Sequence, residues 1–295
     1  MLSKTELRKF YQENMYGVWR EGEKVSFELL GPDPKASEKR EGPHNPFEVV
    51  GGDLVKIIVE AEGRKAEFIV HAYLPKEEDR RDYPKGSPFI ICMHPIMPLE
   101  KALSKGYALF FMEGRQIASD DTNHNGAFYE IYPYGQDSAE QTGVLMAWAW
   151  GASKVLDAVY AGLGDALHLD PDASMVTGVS RWGKATAVCG AFDDRFRMTI
   201  PTCSGAGGLA LYGVKSQGKA YDLTEVDAPA DYTYGENEPL SCLQSDAERG
   251  WFVDKFLQYK TEEEIPVNQE MLAALAMDPE VYYFIVCAAT GEDWV

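Results

Sequence analysis

The stretch from Gly178 to Lys184, GVSRWGK, decides the fold. An apolar run at 174–177 precedes it and predicts a buried strand, and a run of small residues at 185–192 follows it and predicts a helix. A serine on a tight, glycine-flanked turn between a strand and a helix is the context of a nucleophile elbow, which lifts the Ser180 hydroxyl to the top of a sheet. The second glycine falls one residue later than in the common G-x-S-x-G form, so an ordinary Gly-Ser turn is the alternative interpretation.

Working outward from this turn, strand-like and helix-like segments alternate along the chain. Most strand-like runs are apolar without alternation, which is typical of parallel strands buried on both faces. The predicted strands are 54–59, 66–74, 89–93, 107–112, 173–177, 197–203 and 281–289, and the predicted helices are 138–160, 246–260 and 268–276. This alternation predicts one α/β domain over residues 1–295, with an N-terminal extension over residues 1–50.

The position of the serine among these strands favours a particular fold. In the α/β-hydrolase fold the nucleophile follows the fifth strand, the acid usually follows the seventh, and the histidine follows the eighth. Ser180 follows the fifth predicted strand, Glu292 and Asp293 follow the seventh, and the sequence stops at Val295. We therefore expect an α/β-hydrolase, a three-layer sandwich with a mainly parallel sheet, that lacks the last strand and the histidine loop.

Composition excludes several classes of partner. The chain has 47 acidic and 28 basic residues and a formal net charge of −19, which argues against nucleic acid and anionic membrane surfaces. No apolar leader or membrane-spanning stretch is visible, so we expect a cytoplasmic protein with no membrane partner. The five cysteines show no paired spacing and predict reduced thiols. No closely spaced metal-ligand pair is present, so neither a metal nor another cofactor is expected.

The order of motifs resembles that of the glucuronoyl esterases over about residues 85–295. These are carbohydrate esterases of the α/β-hydrolase fold that cleave esters of 4-O-methyl-glucuronic acid in lignin–xylan linkages. The shared signature is G-x-S-R-x-G-K at 178–184. Further shared segments are 148–153 with Leu156-Asp157, 204–208, 235–237, 251–252 and 266–269.

The resemblance implies roles for individual residues. Ser180 would be the nucleophile, and Arg181 would hold the oxyanion with its backbone N–H and its guanidinium. Lys184 and Glu236 would contact the sugar, and no cofactor would be needed. For Arg181 and Lys184 a solvated first helical turn is the alternative interpretation.

Two features depart from the family pattern. Cys203 stands where many members carry a glutamate that orients the histidine, and a thiol cannot replace that carboxylate. The acid would then come from the end of the seventh strand. We expect Asp293 rather than Glu292, because the family often carries an acidic residue before a tryptophan there; two solvated carboxylates are the alternative.

The second departure is the general base. Of the five histidines, His94 and His124 lie in loops that could approach Ser180, although a loop histidine bonded to backbone is the simpler interpretation of each. The sequence thus predicts a serine ester hydrolase that resembles glucuronoyl esterases and acts on a small carbohydrate ester, with activity impaired by the missing histidine. The alternatives are a sugar or xylan deacetylase and a catalytically silent carbohydrate-binding relative. An exposed edge on the last strand also predicts a homodimer through that edge.

Overall fold

The computed structural model describes residues 2–37, 51–93, 98–212, 238–277 and 281–285. Within these residues the chain forms one mixed sheet of eight strands in the order β1-β2-β3-β5-β4-β6-β7-β8. The strands are β1 Lys24–Pro32, β2 Asp53–Ala61, β3 Arg64–Tyr73, β4 Ser87–Cys92, β5 Ala108–Met112, β6 Leu169–Val179, β7 Met198–Thr202 and β8 Tyr282–Tyr283. The β1/β2, β2/β3 and β3/β5 pairs are antiparallel, and the four remaining pairs are parallel.

The helices of the described residues are α1 Lys4–Tyr11, α2 Leu99–Leu103, α3 Gly114–Ile117, α4 Ala127–Ile131, α5 Val144–Ala158, α6 Gly164–Leu167, α7 Arg181–Phe192, α8 Leu240–Leu243 and α9 Glu270–Ala276. Helix α5 is the longest, with 15 residues. None of these helices is long and apolar enough to cross a membrane.

Helices cover both faces of the sheet. Phe89 and Ile91 of β4 belong to the large core that includes α5 and α7, whereas Ile90 and Cys92 of the same strand point to a smaller cluster with α2. This alternation follows from the pleat of a strand that is buried on both faces. The sequence correctly predicted the α/β class, the three layers and the parallel strand pairs from β5 through β4 to β8.

The seven predicted strands correspond to β2–β8, although residues 286–289 of the last one lie outside the described residues. The eighth strand is β1, which lies in the segment predicted to be an N-terminal extension. It pairs with β2 along the sheet edge, from Lys24 opposite Glu60 to Pro32 opposite Asp53. Among the described residues the sheet therefore has β1 at one edge and β8 at the other, and no strand lies beyond β8.

Two of the predicted helices are wrong in part. The helix predicted for 138–160 begins only at Val144, with Gly143 as its N-cap, because Thr142 forms an antiparallel bridge with Gly17 and the Gln141 carbonyl accepts from the N–H of Val18 at 3.0 Å. The helix predicted for 246–260 is replaced by short 3-10 turns at Arg249–Trp251 and Phe256–Gln258. Helix α9 agrees with the prediction for 268–276.

The N-terminal segment packs into the core rather than standing apart from it. Helix α1 begins with a capping box in which Ser3 and Glu6 bond reciprocally, and Tyr11 at its end and Tyr16 in the segment that follows are completely buried. The Tyr16 hydroxyl donates a hydrogen bond of 2.8 Å to the carbonyl of Gly207. The chain's beginning is thereby attached to the loop that follows β7.

Candidate active site

Ser180 occupies the turn between β6 and α7 with φ 58° and ψ −124°. Its N–H donates to the carbonyl of Thr202 at 3.0 Å, and its own carbonyl accepts from the N–H of Lys184 at 3.0 Å. A positive φ in a non-glycine residue costs about 1–3 kcal/mol and persists only where the surroundings enforce it. The strand–turn–helix predicted around Ser180 is therefore present, in the strained geometry of a nucleophile elbow.

The two glycines that flank the serine are required by close backbone approaches. A Cβ atom on Gly178 would lie 2.6 Å from the carbonyl oxygen of Trp182 in the first turn of α7. A Cβ atom on Gly183 would collide with the carbonyl oxygen of Thr202, the same atom that accepts from Ser180. The glycines thus let α7 start directly above the end of β6 and against β7.

The first turn of α7 presents backbone donors beside the serine. The first N–H groups of a helix have no intrahelical acceptor, and the helix dipole makes this end favourable for negative charge. The N–H of Arg181 belongs to this set and is adjacent to the Ser180 hydroxyl along the chain. Such donors can stabilise the oxyanion of a tetrahedral intermediate.

The Arg181 guanidinium is held in place by Asp120 and Trp251. Its Nη1 donates to Asp120 Oδ2 at 2.8 Å, and its Cζ lies 5.2 Å from the centroid of the Trp251 ring. Asp120 is only 6% exposed and also accepts from the indole Nε1 of Trp251 at 2.9 Å. Asp120 thus joins Arg181 to Trp251. The sequence analysis did not identify it, and its only signal there is its place in the Asp- and Asn-rich loop after β5.

Lys184 lies one turn further along α7 and is buried. Its Nζ donates to the carbonyl of Ala206 at 2.7 Å and to Glu238 Oε2 at 2.6 Å, with the side chain 3% exposed. The ion pair with Glu238 balances its charge, and the bond to Ala206 fastens the loop after β7. Glu238 was not predicted, and its neighbour Glu236 lies outside the described residues.

Glu248 is a third acidic residue near the two cations. Its Oε2 is buried and makes no hydrogen bond within the described part of the chain. Burial raises the pKa of Glu248 to about 7; the positive charges of Lys184 and Arg181 oppose this rise, and the negative charges of Glu238 and Asp120 add to it. No sequence pattern marked this residue.

Cys203, which replaces the expected acid, directly follows the end of β7. It is buried and has φ 46°, so the backbone turns sharply there. The acid predicted after the seventh strand, Asp293, and its alternative Glu292 lie outside the described residues. Their assignment stays a prediction.

His124, one of the two candidate bases, lies in an aromatic stack. Its ring is parallel to that of Tyr134, with centroids 3.6 Å apart, and meets Tyr129 edge-on at 5.1 Å. Burial lowers its pKa, and its Nε2 has no hydrogen-bond partner among the described residues. Within the described residues the structure shows no hydrogen bond between this histidine and Ser180. The other candidate, His94, lies outside them.

The described residues thus bring Ser180 together with Arg181, Asp120 and Trp251, and place Lys184 and Glu248 beside them. They contain no group of three His, Cys, Asp or Glu residues arranged to hold a metal ion. A serine on a strained strand-to-helix turn at the ends of parallel strands, with the first N–H groups of α7 beside it, defines an α/β-hydrolase with a serine elbow.

Comparison with known proteins identifies the family within this class. The model of the glucuronyl esterase family of fungi matches residues 57–284, so the chain belongs to that family. The chain is 40% identical to a multidomain esterase of Ruminococcus flavefaciens over 99% of its own length. It is 32% identical to the 4-O-methyl-glucuronoyl methylesterase of Neurospora crassa over 55% of its length. It spans 36% of the length of each of these two relatives.

A solved structure supports the same assignment. The structure is similar to a carbohydrate esterase family 15 glucuronoyl esterase from Caldicellulosiruptor kristjansonii, with a TM-score of 0.78 and 31% sequence identity. The match covers 99% of this chain and 70% of that protein. The fold class and the family resemblance expected from the sequence are confirmed.

Proposed function

We propose that this protein is a serine carbohydrate esterase that cleaves esters of 4-O-methyl-glucuronic acid. The observation that carries the proposal is the strained Ser180 elbow, with the N–H and the guanidinium of Arg181 beside it. The name of the Neurospora crassa relative, a 4-O-methyl-glucuronoyl methylesterase, supports the choice of substrate.

In the proposed reaction the Ser180 oxygen attacks the ester carbonyl. The negative charge that develops on the carbonyl oxygen is held by the backbone N–H of Arg181 and by its guanidinium, which Asp120 and Trp251 keep in position. The serine proton passes to the base, and collapse of the intermediate returns it to the departing alcohol and leaves the uronoyl group bound to Ser180 as an ester. Water then releases the uronic acid and restores the serine.

The sugar part is proposed to contact Lys184 and Glu236. An ammonium group has three donors, and Lys184 uses two of them on Ala206 and Glu238. Within the described residues the third has no acceptor, and we propose that it donates to a sugar hydroxyl. The nearby Trp251 ring, 5.9 Å from Nζ, offers an apolar wall beside it.

The activity of this chain is proposed to be low. Serine needs a base to become a good nucleophile, and removal of a triad member typically lowers the rate by about 10⁴ to 10⁶. His124 is stacked between tyrosines, and Cys203 supplies no carboxylate. His94 and His124 are the proposed sources of any base, with Asp293 as the orienting acid.

The rival proposal of a silent carbohydrate-binding relative is favoured by one observation, the thiol of Cys203 in the place of an acid. One experiment tests the proposals together. It measures hydrolysis of benzyl glucuronate and of acetylated xylo-oligosaccharides by the unmodified protein, by His94→Ala and by His124→Ala. We expect slow hydrolysis of the glucuronate ester only, and a further loss in one histidine variant. Release of acetate in preference to benzyl alcohol would indicate the deacetylase, and absence of all hydrolysis would indicate the silent relative.

A further inference from the structure

The charges around Ser180 are almost fully paired without Glu248. Arg181 is paired with Asp120, which also lies 3.7 Å from the half-exposed Arg115, and Lys184 is paired with Glu238. Both cations that act on Glu248 therefore already have a carboxylate partner. Ionisation of Glu248 therefore adds a negative charge beside two cations that are already paired; the third cation of the cluster, Arg115, is half-exposed and lies against Asp120.

Glu248 is held at this position by backbone hydrogen bonds. Its N–H donates to the carbonyl of Ser245 at 3.1 Å, and its carbonyl accepts from the N–H of Trp251 at 2.9 Å. The same turn carries the indole that bonds Asp120 and contacts Arg181. The carboxyl group thus lies on the turn that carries Trp251, feels the charges of Lys184 and Arg181, and has its Oε2 buried without a hydrogen-bond partner among the described residues.

The substrate and the product of the proposed reaction differ in charge. A uronic acid ester is neutral, whereas the uronic acid released from Ser180 is an anion above about pH 4. Both place the same carbonyl carbon beside Arg181. A negative charge within several ångströms in a partly buried site disfavours an anion far more than a neutral ester.

We propose that Glu248 is a specificity residue that discriminates between the neutral ester and the anionic acid, so that the product is released while the substrate is retained. The proposal rests on the proposed function, since it requires a uronate bound next to Arg181. It assigns no role to Glu248 in bond breaking.

The acid-to-ester discrimination is expected to depend on pH. Below about pH 7 Glu248 is protonated and neutral, and the site tolerates the acid; above about pH 7 it is ionised and repels the acid. The charged groups that act on it are Lys184, Glu238, Arg181 and Asp120. His124, which is coupled to the same turn through the Gly250 backbone, also loses charge as the pH rises, so the test compares Glu248 variants with each other.

The test is direct binding of D-glucuronate and its methyl ester to Ser180→Ala protein at pH 5.5 and pH 8.5, by calorimetry. We expect the ratio of Kd for the acid to Kd for the ester to rise about fivefold or more between the two pH values. The rise should be less than about twofold in Ser180→Ala with Glu248→Gln, which keeps the shape and removes the charge. Asp246→Asn, a change to a 95% exposed carboxylate on the same segment, is the control and should behave like the parent.

Three results would count against the proposal. An equal rise of the ratio in the Glu248→Gln variant, with the ester still bound, would overturn this inference and leave the proposed function intact. Loss of ester binding in a folded Glu248→Gln variant would show that Glu248 builds the site rather than discriminates. Failure of the parent to bind the ester at any pH would contradict the proposed function itself.

Discussion

At the scale of the residue, the arrangement of Arg181 depends on one buried carboxylate. Asp120 accepts from the guanidinium through Oδ2 and from the Trp251 indole through Oδ1. Asp120 is 6% exposed and Arg181 is 38% exposed, so loss of the carboxylate would leave a partly buried guanidinium without its partner. Asp120 is therefore a positioning residue for the group that we propose holds the oxyanion.

Asp120→Asn tests this role. The amide oxygen can still accept from Trp251, but the charge that orients Arg181 is lost. We expect kcat for a glucuronate ester to fall about tenfold or more, with KM less affected, because the interaction acts on the transition state. Glu100→Gln, which alters an exposed carboxylate on α2, should leave both constants unchanged; an equal effect of the two variants would contradict the role of Asp120.

The sequence shows Ser180 but not its neighbours for a physical reason. The serine is marked by glycines within three residues, whereas Asp120 and Arg181 are 61 residues apart and meet only through the packing of two loops. Glu248 has no local signature at all, since its unusual pKa arises from burial. Local patterns thus locate the nucleophile, and the charges that surround it emerge only from the tertiary structure.

At the scale of the element, the strands were easier to predict than the helices. A short run that is apolar on both faces, such as β4, is readily predicted to be a buried strand. Strand β1 lies at an edge and exposes Leu29 and Leu30, so its sequence carries no clear burial pattern. The helix predicted for 246–260 fails because the N–H groups of Val253 and Asp254 donate to Met15 and to the Gln141 side chain instead of to carbonyls of their own segment. Tertiary contacts of single residues overrode local propensity there.

Gly183→Ala tests how α7 is seated on the sheet. The new methyl group would collide with the Thr202 carbonyl, which also accepts from Ser180, so both the helix and the elbow must shift. We expect the free energy of unfolding in urea to fall by about 1–3 kcal/mol, together with the Ser180-dependent activity. Gly135→Ala is the control, because its nearest neighbour is Glu140 at an ordinary 3.5 Å; equal stability of the two variants would show that the close approach is not needed.

At the scale of the whole molecule, the N-terminal segment supports the loop after β7. The Tyr16 hydroxyl donates to Gly207 and accepts from Gln269 Nε2 at 3.0 Å, so residues from three distant parts of the chain meet there. Lys184 fastens the same loop from the other side through Ala206. The described N-terminal residues 2–37 thus contribute to the architecture around the site, a role that the prediction of an extension over residues 1–50 did not include.

Tyr16→Phe removes only the hydroxyl from this junction. Because Tyr16 is fully buried, the variant leaves polar groups of Gly207 and Gln269 without that partner, and we expect a loss of about 1–3 kcal/mol in the free energy of unfolding. Tyr160→Phe is the matched control, since this tyrosine is 48% exposed and its hydroxyl bond to Pro171 is long, at 3.4 Å. Unfolding curves that coincide for the two variants would contradict the supporting role of the N-terminal segment.

The most direct test of the whole account is the initial rate of benzyl glucuronate hydrolysis by the unmodified protein and by Ser180→Ala. If Ser180 is the nucleophile, we expect slow hydrolysis above the buffer rate that is lost entirely in the variant, with unchanged folding by circular dichroism. The same hydrolysis rate in both proteins would contradict the assignment of Ser180 as the nucleophile.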